Sequence, residues 1–537
     1  MVAVRDTDTN VNKGAACMDQ SGFKYATVVS KPTAAAFLAA ALTACTGINI
    51  STPTKGAEVR GTWLTTTAND AISSKAKTAS TMQRLRDIGL NTVYVEVWKN
   101  GYTQYPSEVL RSAISVDRRP ALALQDPSDS PAQLTLPRRD LLQETLIEAH
   151  RNGLIYLAWF EYGFMAAHQS TNPHLRRMKP EWLSRDIAGN EVAPNGFVWM
   201  NPLHPEARRF LLDLVLEAIE RYDLDGIQLD DRIVWPYVTM GYDDTTKKIY
   251  AQEHAGATPP SDHNDPAWMR WRADKVNEYA KWFVQEVRAK RPGLIVSLSP
   301  AVYSWSWDHY LLEWPKWGAW TAQDRVQSIP TQSTASKNIT PRWDEFIPQA
   351  YRFNYPAFES TWKEQAAWMK TLGANRQRDL IAGIRLTGDG VNDSTWEQLR
   401  DSMMLARNLG NGGHVHWYSR GVLDIFSKEL TAFYAQGGAA HSPHFPAGWR
   451  QPSIPLFRHA LGGAALRGEP QWIAHSLPRG AFRMIGFDGR SWEYVDEVPV
   501  SSDTALADRV FFNVPSRYTQ VELVLDRRAE MMWVRRW

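Results

Sequence analysis

Two adjacent carboxylates, Asp230 and Asp231, follow the mostly apolar run 226–229 and are the strongest indication of chemistry in this sequence. An amphipathic segment precedes the run, which predicts a helix followed by a buried strand. In a parallel α/β barrel, side chains at the C-terminal ends of strands face the active site. Two acids in that position are suited to proton transfer or to stabilising positive charge on a substrate.

Alternation along the strand distinguishes the two acids. Asp230 lies two residues after Gln228 and therefore on the same face of the strand, so we expect it to be the main catalytic carboxylate. We expect Asp231 to be its partner or orienter; alternatively it caps a loop or pairs with Arg232. Close negative charges raise the pKa of one carboxyl, which suits a general acid.

A second carboxylate is expected at another strand end. Glu96 lies within the second predicted strand and Glu161 directly follows the third, and either one qualifies. The alternative for both is a contact with a substrate hydroxyl or a salt bridge to Arg60 or Arg385.

The elements that position these acids alternate between strand and helix. This alternation predicts a (β/α)8 TIM barrel over residues 58–436. Pro348 would remove a ladder hydrogen bond, so we expect it at the end of its strand. Ser394 and Glu397 predict a capping box, and the long insertions 98–139, 161–200 and 232–264 are expected on the catalytic face. The eight candidate strands are Arg60–Leu64, Thr92–Val97, Ile155–Phe160, Gly226–Asp230, Ile295–Ser299, Phe346–Tyr351, Ile381–Leu386 and Val415–Tyr418.

The N-terminal segment has the pattern of an export signal. A short apolar run, 34–44, follows two lysines and ends in Leu-Thr-Ala-Cys, which looks like a bacterial lipobox. We expect 1–45 to be a lipoprotein signal peptide, with Met18 as the possible true start, a lipid on Cys45, and a tether at 46–57. The only other cysteine is Cys17, so the mature chain would have no intrachain disulfide. The expected location is the cell envelope, at the outer membrane or in the periplasm.

The C-terminal part changes in composition. Residues 437–455 are rich in Gly, Pro and His and predict a linker, and 456–537 predict a small antiparallel β domain. The predicted strands include Ala481–Phe487 and Arg490–Val495, joined by a hairpin turn at Asp488-Gly489. This domain either braces the barrel, which we favour, or binds glycan.

Composition excludes several classes of function. The 537 residues carry a net charge of +2, so nothing global points to nucleic acid. There is no Walker or Rossmann glycine fingerprint, and His414-x-His416 alone is poor evidence for a metal site. We therefore expect neither a cofactor nor a metal. The sequence does not give the oligomeric state.

Six segments, in order, resemble a known family. They are Val59–Leu64, Gly89–Val93, Leu157–Phe160, Asp225–Asp231, Ser299–Ala301 and Pro348–Tyr351. Over about residues 58–430 the chain resembles the glycosyl hydrolase-like 10 family of bacterial surface and periplasmic proteins. The resemblance implies a TIM barrel that acts on bacterial glycan. Chitinase-like barrels carry a related Asp-Gly-x-Asp-x-Asp-x-Glu run, but here Gln228 and Arg232 replace two of its acids, so the chitinase general acid is missing.

A glycan site needs flat apolar faces and hydrogen-bonding groups. The candidates for stacking on sugar are Trp159, Trp235, Tyr351 and Trp417, and those for bonding hydroxyls are Arg60, Asn201, Gln228, Gln349 and His416. For each, the alternative is packing or support of a neighbour. The leading hypothesis is an exported, lipid-anchored glycoside hydrolase that cuts cell-wall glycan or another amino-sugar polymer. The alternatives are a non-catalytic carbohydrate-binding barrel and a nutritional polysaccharide hydrolase.

Overall fold

The computed structural model describes residues 56–120, 139–326, 336–388, 393–458, 471–500 and 509–531. The predicted signal peptide, Cys45 and most of the tether lie outside these ranges. Contacts divide the chain into two compact units. The larger unit comprises the barrel, the residues that follow it up to Pro452, and the C-terminal residues from Asp526 onward. The smaller unit comprises Ser453–Leu525 and Thr387–Asp393.

The larger unit is built on eight parallel strands, which we number in chain order. They are β1 Val59–Leu64, β2 Thr92–Glu96, β3 Ile155–Phe160, β4 Gly226–Asp230, β5 Ile295–Ser299, β6 Glu345–Phe346, β7 Ala382–Arg385 and β8 Gly413–Trp417. Their order in the sheet is β6-β5-β4-β3-β2-β1-β8-β7. Two parallel bridges, Phe346 to Leu380 and Gln349 to Gly383, then join β6 to β7. The predicted TIM barrel is confirmed.

Each strand is followed by a helix that covers the outside of the sheet. These helices are Lys75–Ile88, Leu141–Arg151, Pro205–Arg221, Pro266–Lys290, Trp314–Gly318, Tyr355–Lys370, Trp396–Asn408 and Ser427–Gln436. Buried residues on Pro205–Arg221 recur at helical spacing, because one face packs against the sheet. Among the helices in the described ranges, none combines the length and apolarity needed to cross a bilayer.

Two local predictions are corrected. The sixth strand is Glu345–Phe346 and not Phe346–Tyr351, and only a bridge at Gln349 continues it. Pro348, which has no N–H for the ladder, lies beyond the strand end, in agreement with the expectation for this residue. The helix Trp396–Asn408 begins with a capping box of Thr395 and Gln398, each one residue later than the predicted Ser394 and Glu397. The hydroxyl of Ser394 instead donates to the carbonyl of Arg385, at the end of β7.

The three predicted insertions follow β2, β3 and β4 and contain short elements of their own. The first contains a hairpin of Trp98–Lys99 with Tyr102–Thr103 and the helix Glu108–Ile114. The second contains a hairpin of Met165–His168 with Phe197–Trp199 and the helix His174–Met178. The third contains the helix Asp244–Glu253. All three leave the C-terminal ends of their strands, which is the catalytic side of such barrels.

The smaller unit consists of antiparallel strands in two sheets, which confirms the predicted antiparallel β fold of the C-terminal part. Gly480–Phe487 pairs with Trp492–Val500 across the predicted turn, and Gln520–Leu525 and Ile454–Pro455 complete a four-stranded sheet. Phe457–Arg458, Gln471–Ala474 and Val510–Asn513 form a three-stranded sheet.

A buried ion-pair cluster lies at the opposite end of the barrel from the insertions. Asp225, just before β4, accepts hydrogen bonds from Arg450 Nε at 2.9 Å and from Trp449 Nε1 at 3.0 Å. Arg450 also contacts Asp223, with Nη1 to Oδ2 at 3.1 Å, and its side chain is 1% exposed. Arg450 and Trp449 come from the segment predicted to be a linker, and here they pack on the start of β4.

We expect Arg450→Met to lower the free energy of unfolding by about 3 to 5 kcal/mol, because it leaves two carboxylates buried without their cation. Denaturant unfolding followed by tryptophan fluorescence measures this. Arg86→Met, at an exposed position on the helix Lys75–Ile88, removes the same charge and is the control. Equal stability of the two variants would contradict the assignment.

Candidate active site

The end of β4 places Asp230 inside the barrel mouth. Gln228, two residues earlier, accepts a hydrogen bond from Trp63 Nε1 at 2.7 Å and donates to Ser297 Oγ at 3.0 Å, so it faces the interior. Asp230 shares that face and is 3% exposed. Its Oδ1 accepts from the side chain of Gln349 and from the backbone N–H of Asp231. The carboxyl group is therefore fixed in orientation.

Arg232 joins three carboxyl groups at this mouth. Its Nη1 lies 2.5 Å from Asp230 Oδ2 and 3.5 Å from Glu161 Oε1, and its Nε lies 3.6 Å from Asp231 Oδ1. Nη1 also donates to the Glu161 carbonyl at 2.9 Å. Asp231 Oδ1 is buried but makes no hydrogen bond, whereas both oxygens of Asp230 are bonded. One guanidinium thus holds together the predicted acids of β4 and the acid that follows β3.

The loops that carry these groups approach each other closely. The N–H of Phe164 donates to the Arg232 carbonyl at 2.9 Å. Gly163 lies between them with a positive φ of 45°, and a Cβ there would overlap the same carbonyl. Only glycine combines that backbone conformation with so close an approach.

A second cation, Lys99, lies between Glu96 and Glu161. Its Nζ is 2.8 Å from Glu96 Oε2 and 3.0 Å from Glu161 Oε2. Glu96 is fully buried and also accepts from the hydroxyl and N–H of Thr66, while the side chain of Glu161 is 10% exposed. The alternative partners Arg60 and Arg385 are therefore wrong for these two acids, since Lys99 and Arg232 neutralise them.

Four carboxyl groups share two cations, which separates their pKa values. Burial raises the pKa of Asp230 well above its usual range; the charge of Arg232 opposes this rise, and repulsion from Asp231 and Glu161 adds to it. Burial also raises the pKa of Asp231 and of Glu96. For Glu161 burial acts in the same direction, but the charges of Lys99 and Arg232 prevail and lower its pKa. The site therefore offers a protonated carboxyl beside an ionised one.

Aromatic rings line the mouth next to the acids. Tyr351 stacks on Trp417 at 5.7 Å between ring centroids, and Trp417 contacts Trp63 at 5.9 Å and Trp159 at 6.0 Å. Trp159 is 1% exposed, whereas Tyr351 and Trp417 are partly exposed. The stacking candidates Trp159, Tyr351 and Trp417 are thus brought together, and the last two present surface to a ligand.

The structure places four other predicted site residues away from the acids. Arg60 lies near the start of β1 and bonds Glu58, with Nε to Oε2 at 2.8 Å. Asn201 donates to Asp243 at 2.6 Å, and Trp235 is buried and donates to the Met240 carbonyl at 2.9 Å. His416 faces the outer helices. These four predictions were based on closeness to a strand end in the sequence. Closeness in sequence does not give the direction of the side chain.

His414 and His416 bond the same phenol rather than sharing a cation. Their Nε2 atoms lie 2.8 and 2.9 Å from the hydroxyl of Tyr434, and burial lowers the pKa of His416 well below its usual range. In the part of the chain that the structure describes, no three His, Cys, Asp or Glu side chains group as metal ligands.

The prediction from sequence missed Lys99 and Trp63. Lys99 follows β2 by three residues, so the strand-end rule that selected Glu161 also applies to it. Trp63 lies inside a strand, and only its hydrogen bond across the barrel to Gln228 reveals its role.

The eight-stranded barrel, with acids and aromatic rings at the C-terminal ends of its strands, defines a glycoside hydrolase-like TIM barrel. Residues 58–396 match the model of the family "Glycosyl hydrolase-like 10". The chain belongs to that family.

Two curated relatives carry related names. The chain is similar to glycosyl hydrolase YngK of Bacillus subtilis, with 26% identity over 263 residues, 45% of each chain. It is 24% identical over 263 residues to glycosyl hydrolase DigH of Escherichia coli K12, 47% of this chain and 51% of that one. The chain spans about half the length of the curated relatives it matches.

A solved structure is also similar: the glycoside hydrolase domain of PgaB (BpsB) from Bordetella bronchiseptica. It matches with a TM-score of 0.49 and 14% identity, over 70% of this chain and 98% of that one.

Lys99→Met should move the acid limb of any pH–activity profile upward by about 1 to 3 pH units, since an opposite charge nearby lowers a carboxyl pKa by that amount. Glu161 then gains its proton at higher pH, and activity is lost sooner on acidification. Lys99→Arg retains the charge and should leave the limb near its wild-type position. An unchanged limb in Lys99→Met would show that Glu161 does not need to be ionised.

Proposed function

We propose that this protein is a glycoside hydrolase that cleaves a bacterial polysaccharide by carboxylate acid/base catalysis. The observation that carries the proposal is the cluster of Asp230, Asp231 and Glu161 around Arg232 beside the rings of Tyr351 and Trp417. Glycosidic cleavage uses two carboxyl groups, one to protonate the leaving oxygen and one as nucleophile or base. Membership in the glycosyl hydrolase-like 10 family supports the same reaction class.

The pKa directions suggest the division of roles. Burial raises the pKa values of Asp230 and Asp231, so their pair retains a proton and supplies the general acid. Burial also acts on Glu161, but Lys99 and Arg232 keep its pKa low, so it is the ionised partner. Glu96 forms an ion pair with Lys99. Because Glu96 is fully buried, it does not contact the substrate.

The shared guanidinium also limits the separation of these groups. Since Arg232 Nη1 lies 2.5 Å from Asp230 Oδ2 and 3.5 Å from Glu161 Oε1, those two oxygens are no farther apart than the sum, about 6 Å. Retaining enzymes place their carboxyl groups about 5 to 5.5 Å apart and inverting enzymes about 6.5 to 9.5 Å. We therefore propose a retaining mechanism, in which Asp230 protonates the leaving oxygen as the glycosidic bond breaks and Glu161 bonds to the anomeric carbon. Water, deprotonated by Asp230, then displaces Glu161 and releases the sugar.

The proposed substrate is cell-wall glycan or another amino-sugar polymer. Support comes from the family's occurrence among bacterial surface proteins and from the export signal predicted at 1–45. Tyr351 and Trp417 supply flat faces of the kind that pack on sugar rings.

One observation favours a non-catalytic, carbohydrate-binding alternative. Both oxygens of Asp230 are already bonded, to Gln349, Asp231 and Arg232. A reaction at Asp230 would require at least one of these bonds to yield to substrate. A nutritional polysaccharide hydrolase keeps the same chemistry and differs only in its products.

Purified protein should release new reducing ends from an amino-sugar polymer, and Asp230→Asn should lower kcat by about 10²- to 10⁴-fold, the usual contribution of a general acid or base. Asp87→Asn, at an exposed position on the helix Lys75–Ile88, is the matched control. Circular dichroism should show an intact fold in both variants. Glycan binding without turnover by the wild type would favour the non-catalytic alternative, and full activity in Asp230→Asn would refute the assignment.

We also propose that the protein is anchored in the cell envelope by a lipid on Cys45. Cys45→Ala should shift the protein from the membrane fraction to the soluble fraction, because a diacylated cysteine supplies the membrane affinity. Cys17→Ala removes the other cysteine, which lies before the proposed cleavage point, and should leave fractionation unchanged. An unaltered distribution of Cys45→Ala would exclude the anchor.

A further inference from the structure

We propose that Arg385, with Phe353, forms a subsite for the carboxylate of an acidic sugar, so that the polysaccharide cut at the proposed active site is anionic. This inference rests on the proposed function for its substrate, but it concerns a group that the acid/base chemistry does not use.

The register of β7 places Arg385 on the inner face at the barrel mouth. Arg385 is the last residue of β7 and pairs with Trp417 of β8, whose ring lies in the aromatic lining. The preceding residue, Ile384, pairs with His416, whose side chain bonds Tyr434 on the outer helix. Because side chains alternate along a strand, Arg385 extends on the same side as Trp417.

The guanidinium of Arg385 has no anionic partner among the described residues. The residue is 9% exposed, and its Nη1 is buried without a hydrogen bond. The contact it makes is with the ring of Phe353, 4.5 Å from Cζ to the ring centroid. By contrast, Arg232 and Arg450 each bond carboxylates. A buried cation normally requires a counter-charge, and a cation–π contact replaces only part of it.

A carboxylate of a bound sugar would supply the missing partner. The planar guanidinium matches a carboxylate in a two-hydrogen-bond arrangement, and partial burial strengthens such a charge-assisted pair. Phe353 is 66% exposed, so its outer face is available to pack on the same sugar ring. Arg232 and Lys99 pair with the acids at the mouth, whereas Arg385 pairs with no carboxylate among the described residues, so it is the cation that an incoming anion can bind.

Binding to Asp230→Asn, which should turn substrate over at least about 10²-fold more slowly, tests the subsite by isothermal titration calorimetry. The probes are a hyaluronan hexasaccharide with uronate carboxylates, a muramic-acid-containing tetrasaccharide with lactyl ether carboxylates, the methyl esters of both, and the neutral hexamer of N-acetylglucosamine. We expect at least one acid to bind ten or more times more tightly than its ester, and the stronger acid identifies the type of carboxylate.

Arg385→Met in the same background should reduce binding of the preferred acid at least tenfold and leave binding of its ester unchanged. Arg385→Lys retains the charge without the planar fork and should fall between the two. Arg86→Met controls for the loss of one positive charge on the exposed surface. Equal binding of acids and esters by the parent, or an equal loss for acid and ester in Arg385→Met, would overturn the proposal.

Binding and cleavage measurements together distinguish a failure of the Arg385 subsite from a failure of the proposed hydrolase activity. If the wild type binds the acid selectively through Arg385 but cleaves no polymer, the hydrolase assignment fails and the subsite stands. If it cleaves neutral and acidic polymers with equal kcat/KM, and Arg385→Met changes neither, the activity stands and the subsite is excluded.

Discussion

The ion pair of Arg232 with Asp230 is the interaction on which the candidate site depends. The Arg232 guanidinium also reaches Glu161 and Asp231, so it connects the ends of two neighbouring strands. Three carboxyl groups in a buried mouth would repel one another, and desolvation adds to that cost. A single fixed cation offsets this repulsion and holds the three carboxyl groups close together.

The mouth has fewer cations than carboxyl groups, and this imbalance affects the pKa values of the acids. Arg232 and Lys99 serve four carboxyl groups, so the cluster retains protons that isolated acids would lose. Glu161 contacts both cations and remains the most acidic, while burial raises the pKa values of the aspartates. The cluster titrates as a set, and the difference between the pKa values of its members arises from where the cations lie.

The two ends of the barrel use charge differently. At the opposite end of the barrel, Asp225 hydrogen-bonds His150, Trp449 and Arg450, and Arg450 also bonds Asp223, which stabilises the start of β4. At the mouth, Asp231 Oδ1 and Arg385 Nη1 are buried without hydrogen bonds. Asp223 Oδ1 at the other end also lacks a hydrogen bond, but atoms of this kind at the mouth lie on the side where barrels of this fold bind their ligands.

The sequence by itself determined the alternation of strands and helices, and hence the barrel, because buried strands and amphipathic helices have distinct periods. It also determined that Asp230 and Gln228 share a face, since that follows from a period of two. Only the tertiary structure decided which distant groups meet them: Lys99, Glu161 and Arg232 are separated along the chain, and no local pattern encodes their contacts. The same reason explains the misplacement of Arg60, Asn201, Trp235 and His416. Each lies in or near a predicted element, but its direction depends on register and on the loops packed around it.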